Sequence, residues 1–396
     1  MSSTSATWPS PVRDTIQRVN AVARDLKGRF AARDAAIDLL VLGVVCQENV
    51  LLVGPPGTAK TQLIWRFTDL IAASGFHYLL TSFTEPTELF GPVDVEQFKK
   101  GSYRIQTKNM LPESQVVFLD EVFRGSSPIL NSLLTILNER VFYNGPLRVP
   151  VPLVLMIGAT NEIPNDPSLQ ALADRFLLRA EVEPVPDDRL DELLDLGWEL
   201  EQDFIDAVQR AADHELPGKD APTVQISDLI KLSGQVRHVG LSAVRPDYAQ
   251  VVRELRAEGI QISDRRAVKG LKLIAGSALL RGATTAGVED FAALAHFWSR
   301  PEEAKRIADI IRPRIAAVGG PSDGAVRSVE DLLLDLETLI THQPILRTDA
   351  TAGAHLMALG RLRRELIQNH PREADTRKKV EQAIAQVMTQ LEPSHV

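Results

Sequence analysis

Residues 54 to 61, Gly-Pro-Pro-Gly-Thr-Ala-Lys-Thr, are the stretch of this chain best suited to hold an anion. An apolar tetrad, Val50 to Val53, precedes them, and a helix-forming run starts at Lys60. A glycine-rich turn in that setting lets backbone N–H groups converge on a phosphate, and the helix N-terminus adds partial positive charge. Gly54, Pro55, Pro56, Gly57, Thr58 and Ala59 supply the loop backbone. Lys60 can reach the β- and γ-phosphates of a nucleoside triphosphate, and the Thr61 hydroxyl can bind Mg²⁺. The strict pattern has glycine where Ala59 stands, and alanine costs little there if its φ stays negative.

Four further groups suit the same chemistry. Val-Val-Phe-Leu-Asp-Glu, 116 to 121, delivers two carboxylates to the end of a buried strand, where open α/β sheets bind ligands. Asp120 is placed to hold Mg²⁺, and Glu121 to orient and deprotonate a water. Gly-Ala-Thr-Asn, 158 to 161, ends another strand, with Asn161 able to bond the γ-phosphate and the attacking water. Arg175, in Ala-Leu-Ala-Asp-Arg-Phe, can neutralise charge as a phosphate leaves. In Ser-Asp-Arg-Arg, 263 to 266, Ser263 reads as a helix N-cap and Arg265 as a first-turn cation able to reach a phosphate from a second domain. Each piece alone also has a plain reading: a Gly-Pro turn, two solvated acids, a turn asparagine, an arginine paired with Asp174, a solvated arginine.

The elements that must position these groups follow from periodicity. Short apolar strands are expected at 50–53, 77–81, 116–119, 151–158 and 177–182. Helices are expected at 12–26, 35–45, 60–73, 86–90 and 127–140, the last with Ile129, Leu133, Leu134 and Leu137 inward. Strands alternating with helices imply an α/β fold with a parallel sheet covered on both faces. Residues 93–98 and 103–107 flank Lys-Lys-Gly-Ser as a hairpin, and 141–149 form a second around Asn144-Gly145. After Pro184 and Pro186 the pattern is wholly helical. The expected organisation is a disordered leader at 1–11, a nucleotide-binding α/β domain at 12–186, an all-α lid at 187–300 and a short helical C-terminal region at 301–396. Gly-Gly-Pro-Ser-Asp-Gly at 319–324 marks a linker, followed by helices at 329–340, 352–367 and 376–391.

The totals narrow the class. A chain of 396 residues, 44% hydrophobic and 24% charged, reads as a globular protein of two or three domains. A net charge of −8 counts against a nucleic-acid partner. The basic clusters Arg361, Arg363, Arg364 and Arg377, Lys378, Lys379 lie beside acids and read as solvated helix faces. Cys46, the single cysteine, rules out an intramolecular disulfide framework and suits a small core position. Trp65 and Trp298 likewise read as core residues. The longest uncharged apolar run, Leu39 to Cys46, is far too short to span a bilayer, and the first residues lack a secretory pattern, so a cytoplasmic protein is expected.

The order of the motifs is more specific than any one of them. Phosphate loop, Asp-Glu strand, asparagine-ended strand, arginine and helical arginine together resemble an AAA+ ATPase. In detail the chain resembles the MoxR branch, and within it the RavA-like subgroup. Alanine before the loop lysine is typical of that branch. Ile129 to Arg140 followed by Phe142-Tyr-Asn-Gly145, and Ser263 to Arg266 followed by Gly287 to Asp290, are similar to the same subgroup. The resemblance covers about residues 12 to 300. It implies ATP and Mg²⁺ as ligands and ATP hydrolysis driving chaperone-like remodelling or assembly of a protein partner. It also implies a homo-oligomeric ring, commonly a hexamer, and a partner that bears a von Willebrand factor A domain. Residues 86–107 become an insertion in the second helix and 141–150 an insertion before the Asn161 strand, both facing a central pore. Arg175 becomes the finger acting on a neighbour's nucleotide and Arg265 the lid sensor. A nucleic-acid-dependent motor and a non-catalytic nucleotide-dependent scaffold are the rival readings.

Overall fold

A computed structural model describes residues 7–212 and 223–317, and, further on, 329, 332–333, 336, 359–360, 362–363, 366, 370 and 373–391. The chain divides into two compact units between residues 324 and 325.

The first unit is built on a five-stranded sheet in the order β2-β3-β6-β1-β7, comprising β1 (Val50–Val53), β2 (Gly75–Leu79), β3 (Val116–Asp120), β6 (Leu155–Thr160) and β7 (Leu178–Glu181). Every pairing in it is parallel. Strands β1 and β6 are buried along their whole length, which is why their sequences are continuous apolar runs without alternation. Register then fixes the site. Val53 lies opposite both Thr160 and Glu181, and Leu119 lies opposite Gly158, so the loops leaving β1, β3 and β6 emerge side by side on one edge.

Helices α1 (Ser10–Lys27), α2 (Asp34–Cys46), α3 (Lys60–Leu70), α6 (Ser127–Glu139) and α7 (Pro167–Ala173) accompany the sheet. Helix α6 buries Ile129, Leu133, Ile136 and Leu137, and Leu134 packs, partly buried, against the same core. From Leu39 to Cys46 helix α2 is apolar on all sides because it is covered there on all sides, with the sheet, α1 and the later helices α9 (Ile226–Ser233) and α11 (Asp264–Leu280) packed against the helix. Gly276 of α11 meets α2 at Cys46. A side chain there would run into the Cys46 sulfur, so glycine is what permits this approach. Helices α8 (Leu190–Ala212), α10 (Arg245–Ala257) and α12 (Pro301–Ala317) complete the helical part.

Several boundaries differ from expectation. Residues 7–11 do not belong to a disordered leader. Trp8 is buried and donates its indole N–H to the Ala283 carbonyl at 3.0 Å, and α1 begins at Ser10. The lid does not stop at residue 300, because α12 carries Ile307 and Ile311 into the same apolar core and Arg314 pairs with Glu254 of α10. The expected hairpin at 93–107 is instead helix α5 (Val95–Lys99) after the short α4 (Pro86–Phe90), with only Val93 and Ile105 bridged. Asp94 is the reason: its carboxylate accepts the Glu96 and Gln97 N–H groups and caps a helical turn. The second hairpin forms as expected, β4 (Val141–Asn144) against β5 (Leu147–Pro150). The Asn144 side chain donates to the Ile105 carbonyl at 2.9 Å and accepts the Ile105 N–H at 2.7 Å, joining this hairpin to the 93–105 segment. Trp298 is buried as expected, but Trp65 is half exposed and packs edge-on to His77.

In the second unit, Leu332, Leu336, Leu359, Leu362, Leu366, Val380 and Ala383 form their own apolar cluster. Helix α13 (Ala374–Leu391) matches the last expected helix, and Arg363 pairs with Glu381 across 3.0 Å. The linker at 319–324, most of the helices expected at 329–340 and 352–367, and Arg361 and Arg364 lie outside the described residues.

Candidate nucleotide site

The loop after β1 is shaped by glycine at two points. The Gly54 N–H bonds the Thr160 carbonyl at 3.0 Å, and a Cβ on Gly54 would strike the Val182 carbonyl. Gly57 has φ +80° in open space, a conformation that favours glycine. Ala59 corrects a sequence expectation. Its φ is +59°, the left-handed region, where an alanine costs about 1 kcal/mol or more. It is the N-cap of α3, and its carbonyl accepts the Leu63 N–H at 3.0 Å. The phosphate loop therefore stores backbone strain at the residue before its lysine.

The Lys60 ammonium lies within the loop. It donates to the Gly54 carbonyl at 2.9 Å, to the Pro55 carbonyl at 2.7 Å and to Thr58 Oγ1 at 3.2 Å. Burial lowers its pKa, and the nearby charges of Asp120 and Glu121 oppose that shift. Thr61 sits half-buried in the first turn of α3. Arg33, which belongs to none of the motifs above, braces the loop from the start of α2. Its Nε donates to the Thr58 carbonyl at 3.1 Å, and burial, then Arg189, lowers its pKa. The signal available in sequence was only an arginine after Phe-Ala-Ala.

At the end of β3, Asp120 accepts the Glu121 N–H at 3.0 Å, and Glu121 itself has φ +50°. This second strained residue aims the carboxylate toward the end of β6. There Asn161 Nδ2 donates to Glu121 Oε1 at 2.8 Å, and Arg124 Nε lies 3.2 Å from Oε2. Glu121 is thus held from both sides, by an anticipated asparagine and by an arginine that was not anticipated. Loop N–H groups, Lys60, Thr61 and Asp120 form a donor set that fits a nucleoside triphosphate with Mg²⁺, the hard cation that carboxylate and hydroxyl oxygens suit. A cleft of about 370 Å³ opens beside the loop, lined by Gly54, Pro55 and Asn161 together with Arg300, Pro301 and Glu302. Glu181, at the same cleft, has its pKa raised by burial and by the carboxylates of Glu183 and Glu302.

Arg175 and Arg265 come together elsewhere. Arg175 follows α7 with its Nε buried and unbonded. Burial lowers its pKa, and the Arg265 charge lowers it further. Arg265, exposed in the first turn of α11, donates to Asn138 Oδ1 of α6 at 3.3 Å. Among the described residues neither arginine has a recorded hydrogen bond or ion pair with Lys60, Asp120, Glu121 or Asn161. The structure therefore groups Lys60, Asp120, Glu121 and Asn161 as one set and Arg175 with Arg265 as another.

Comparisons with known proteins agree with this geometry. The sequence profile of the MoxR domain in the MoxR-vWA-beta-propeller ternary systems matches residues 17–218, and that of an AAA lid domain matches residues 245–311. An uncharacterized protein of Methanocaldococcus jannaschii is 33% identical over 290 residues, which is 72% of this chain and 73% of the relative. The chaperone MoxR1 of Mycobacterium tuberculosis is 24% identical over 178 residues, 44% of this chain and 46% of the relative. A crystal structure from Cytophaga hutchinsonii, provisionally described as an ATPase, superposes with a TM-score of 0.59 at 18% identity, covering 79% of this chain and 97% of the other. That last likeness shows the fold, a parallel-sheet core followed by a helical lid. Sequence profile, relatives and fold lead to one assignment: the chain belongs to the MoxR-type AAA+ ATPases.

Proposed function

We propose that this chain hydrolyses ATP as a member of a homo-oligomeric ring, a hexamer of RavA-like type, and uses the energy to remodel or assemble a protein partner. The observation that carries this reading is the Glu121 carboxylate, fixed by Asn161 at 2.8 Å on the strand edge that also bears the phosphate loop. Lys60 and the loop N–H groups would bind the phosphates, while Thr61 and Asp120 would hold Mg²⁺, whose charge would offset that developing on the γ-phosphate. Glu121 takes a proton from the attacking water, and Asn161 orients that water. Arg175, with Arg265 beside it, serves the nucleotide of the next copy. Residues 12–186 form the nucleotide-binding domain and 187–317 the lid.

The partner reading is supported by the matched profile, whose description places its MoxR domains in systems with von Willebrand factor A proteins. The exposed Val95, Phe98, Tyr103 and Tyr143 of the two insertions supply an apolar surface for such a partner. Among the described residues no helix is long and apolar enough to cross a membrane, and we assign the chain to the cytoplasm.

The test separates binding from chemistry. Lys60→Ala should lose tight ATP binding, whereas Glu121→Gln should bind ATP and fail to release phosphate. Calorimetry showing both variants binding like the wild type would sink the loop assignment. The Glu121→Gln chain, held in its ATP-bound form, is then the bait for recovering the partner.

A further inference from the structure

Arg179, on β7, is 1% exposed, yet among the described residues it has no carboxylate within ion-pairing distance. Its guanidinium is spent on main-chain carbonyls. Nη2 donates to Ala173 at 2.7 Å, Nε to Phe176 at 3.2 Å, and Nη1 to Ser299. Burial, then the Arg266 charge, brings its pKa down to about 9. Arg266 is a second buried arginine in the same place. It donates to the carbonyls of Phe297 at 2.6 Å and Trp298 at 3.4 Å and stands 4.8 Å above the Phe297 ring. Two buried guanidiniums that have only the more distant charges of Asp174 and Glu303 to offset them, and no direct ion pair among the described residues, are costly to fold, and proteins keep such features where they serve function.

What these bonds join is specific. Ala173 and Phe176 bracket Arg175. Ser299 is followed by Arg300, Pro301 and Glu302, which line the same cleft as Gly54 and Pro55. One side chain therefore spans from the segment bearing Arg175 to the lid turn that borders the chain's own phosphate loop. We infer that Arg179 is a positioning residue that couples the chain's own nucleotide cleft to the Arg175 offered to the next copy. The inference rests on the proposed function. A lid turn displaced by bound nucleotide carries Ser299 with it, and Arg179 transmits that displacement to the Ala173 and Phe176 carbonyls. The finger is then set according to what its own subunit holds.

The test uses the full chain. Arg179→Met keeps the volume, removes the buried charge and cannot bond the carbonyls, while Arg179→Lys retains a charge and part of the bonding. Arg179→Met should keep ATP affinity within about threefold and lose roughly 10- to 100-fold in turnover, one to two decades at about 1.4 kcal/mol each. Arg179→Lys should fall between it and the wild type. The distinguishing readout is the cycle with Arg175→Ala. If Arg179 acts through Arg175, the double variant turns over no more slowly than Arg175→Ala alone. A double variant that loses both factors, or an Arg179→Met chain with wild-type turnover, overturns the inference.

Hydrogen exchange on the wild-type chain gives a second arm that needs no variant to fold. Adding a non-hydrolysable ATP analogue with Mg²⁺ should change protection at 297–300 and 173–178 together. A change in the first segment alone, or in neither, overturns the coupling. Turnover in the wild type that Lys60→Ala fails to abolish would instead strike the functional reading, which this exchange pattern does not address.

Discussion

Asn161→Ala isolates the contact on which the hydrolytic reading depends. It deletes one hydrogen bond, 2.8 Å from Nδ2 to the Glu121 carboxylate, while Arg124 continues to hold the other oxygen. A hydrogen bond to a charged group is worth roughly 1.5–3 kcal/mol. Asn161 is itself exposed, so water will replace part of it and the lower half of that range applies. At about 1.4 kcal/mol per decade this is roughly a tenfold loss in turnover from misplacing Glu121 alone. Loss of the water-orienting amide adds to it, giving an expected fall of about 10- to 100-fold in kcat. ATP affinity should stay within about threefold, since Asn161 makes no recorded bond to the loop. The melting temperature should hardly move, because the side chain is on the surface. Phosphate release at saturating ATP, with binding measured separately, reads both quantities. A variant with wild-type kcat, or one whose loss lies wholly in ATP binding, would refute the argument that Asn161 acts through Glu121.

Arg175→Ala should keep only residual turnover and Lys60→Ala none, and mixing them should restore turnover well above the sum of the two, because a Lys60→Ala subunit can lend its intact Arg175 to a neighbour with a sound loop. Mixed rings seen by native mass spectrometry with no recovered activity would show that Arg175 does not act in trans. Gly276→Ala forces a methyl group into the Cys46 sulfur and should cost about 1–3 kcal/mol by denaturant unfolding. Adding Cys46→Ala should return most of it, and a strictly additive pair would contradict the packing described. Burial pushes the Cys46 thiol from its ordinary 9.0 up to about 12. The folded chain holds that proton more tightly than the unfolded one. The stabilisation is complete below about pH 9 and is lost as pH rises toward 12. Alkylation by iodoacetamide at pH 8 should therefore track global unfolding, and rapid labelling of the native protein would contradict the burial.

The sheet and the loop were legible because each depends on neighbours in sequence. Val50 to Val53 is apolar throughout since both its faces are covered, and the Gly54 turn follows at once. Asp120, Glu121 and Asn161 sit at strand ends, so alternation of strands and helices was enough to bring them to one edge. What was not legible depends on distant partners. Trp8 looked like part of a loose leader because its acceptor, Ala283, lies 275 residues away. Arg179 reads as an ordinary charged residue on a strand, and its acceptor at Ser299 is 120 residues on. The helix at 95–99 was hidden for a local reason: apolar residues at 93, 95 and 98 suggested a strand, and the capping carboxylate of Asp94 decided otherwise. The positive φ of Ala59 was beyond sequence, since residues other than glycine seldom adopt it.

The bonding of Asn144 to Ile105 has a mechanical consequence. An asparagine amide offers one donor and one acceptor at nearly the spacing of a peptide group, so its two bonds to a single residue act as a short rung of antiparallel sheet. One bond alone is a pivot, but two in parallel resist twisting. A load applied to either segment is shared by the other from the start, and the two respond as one stiff unit.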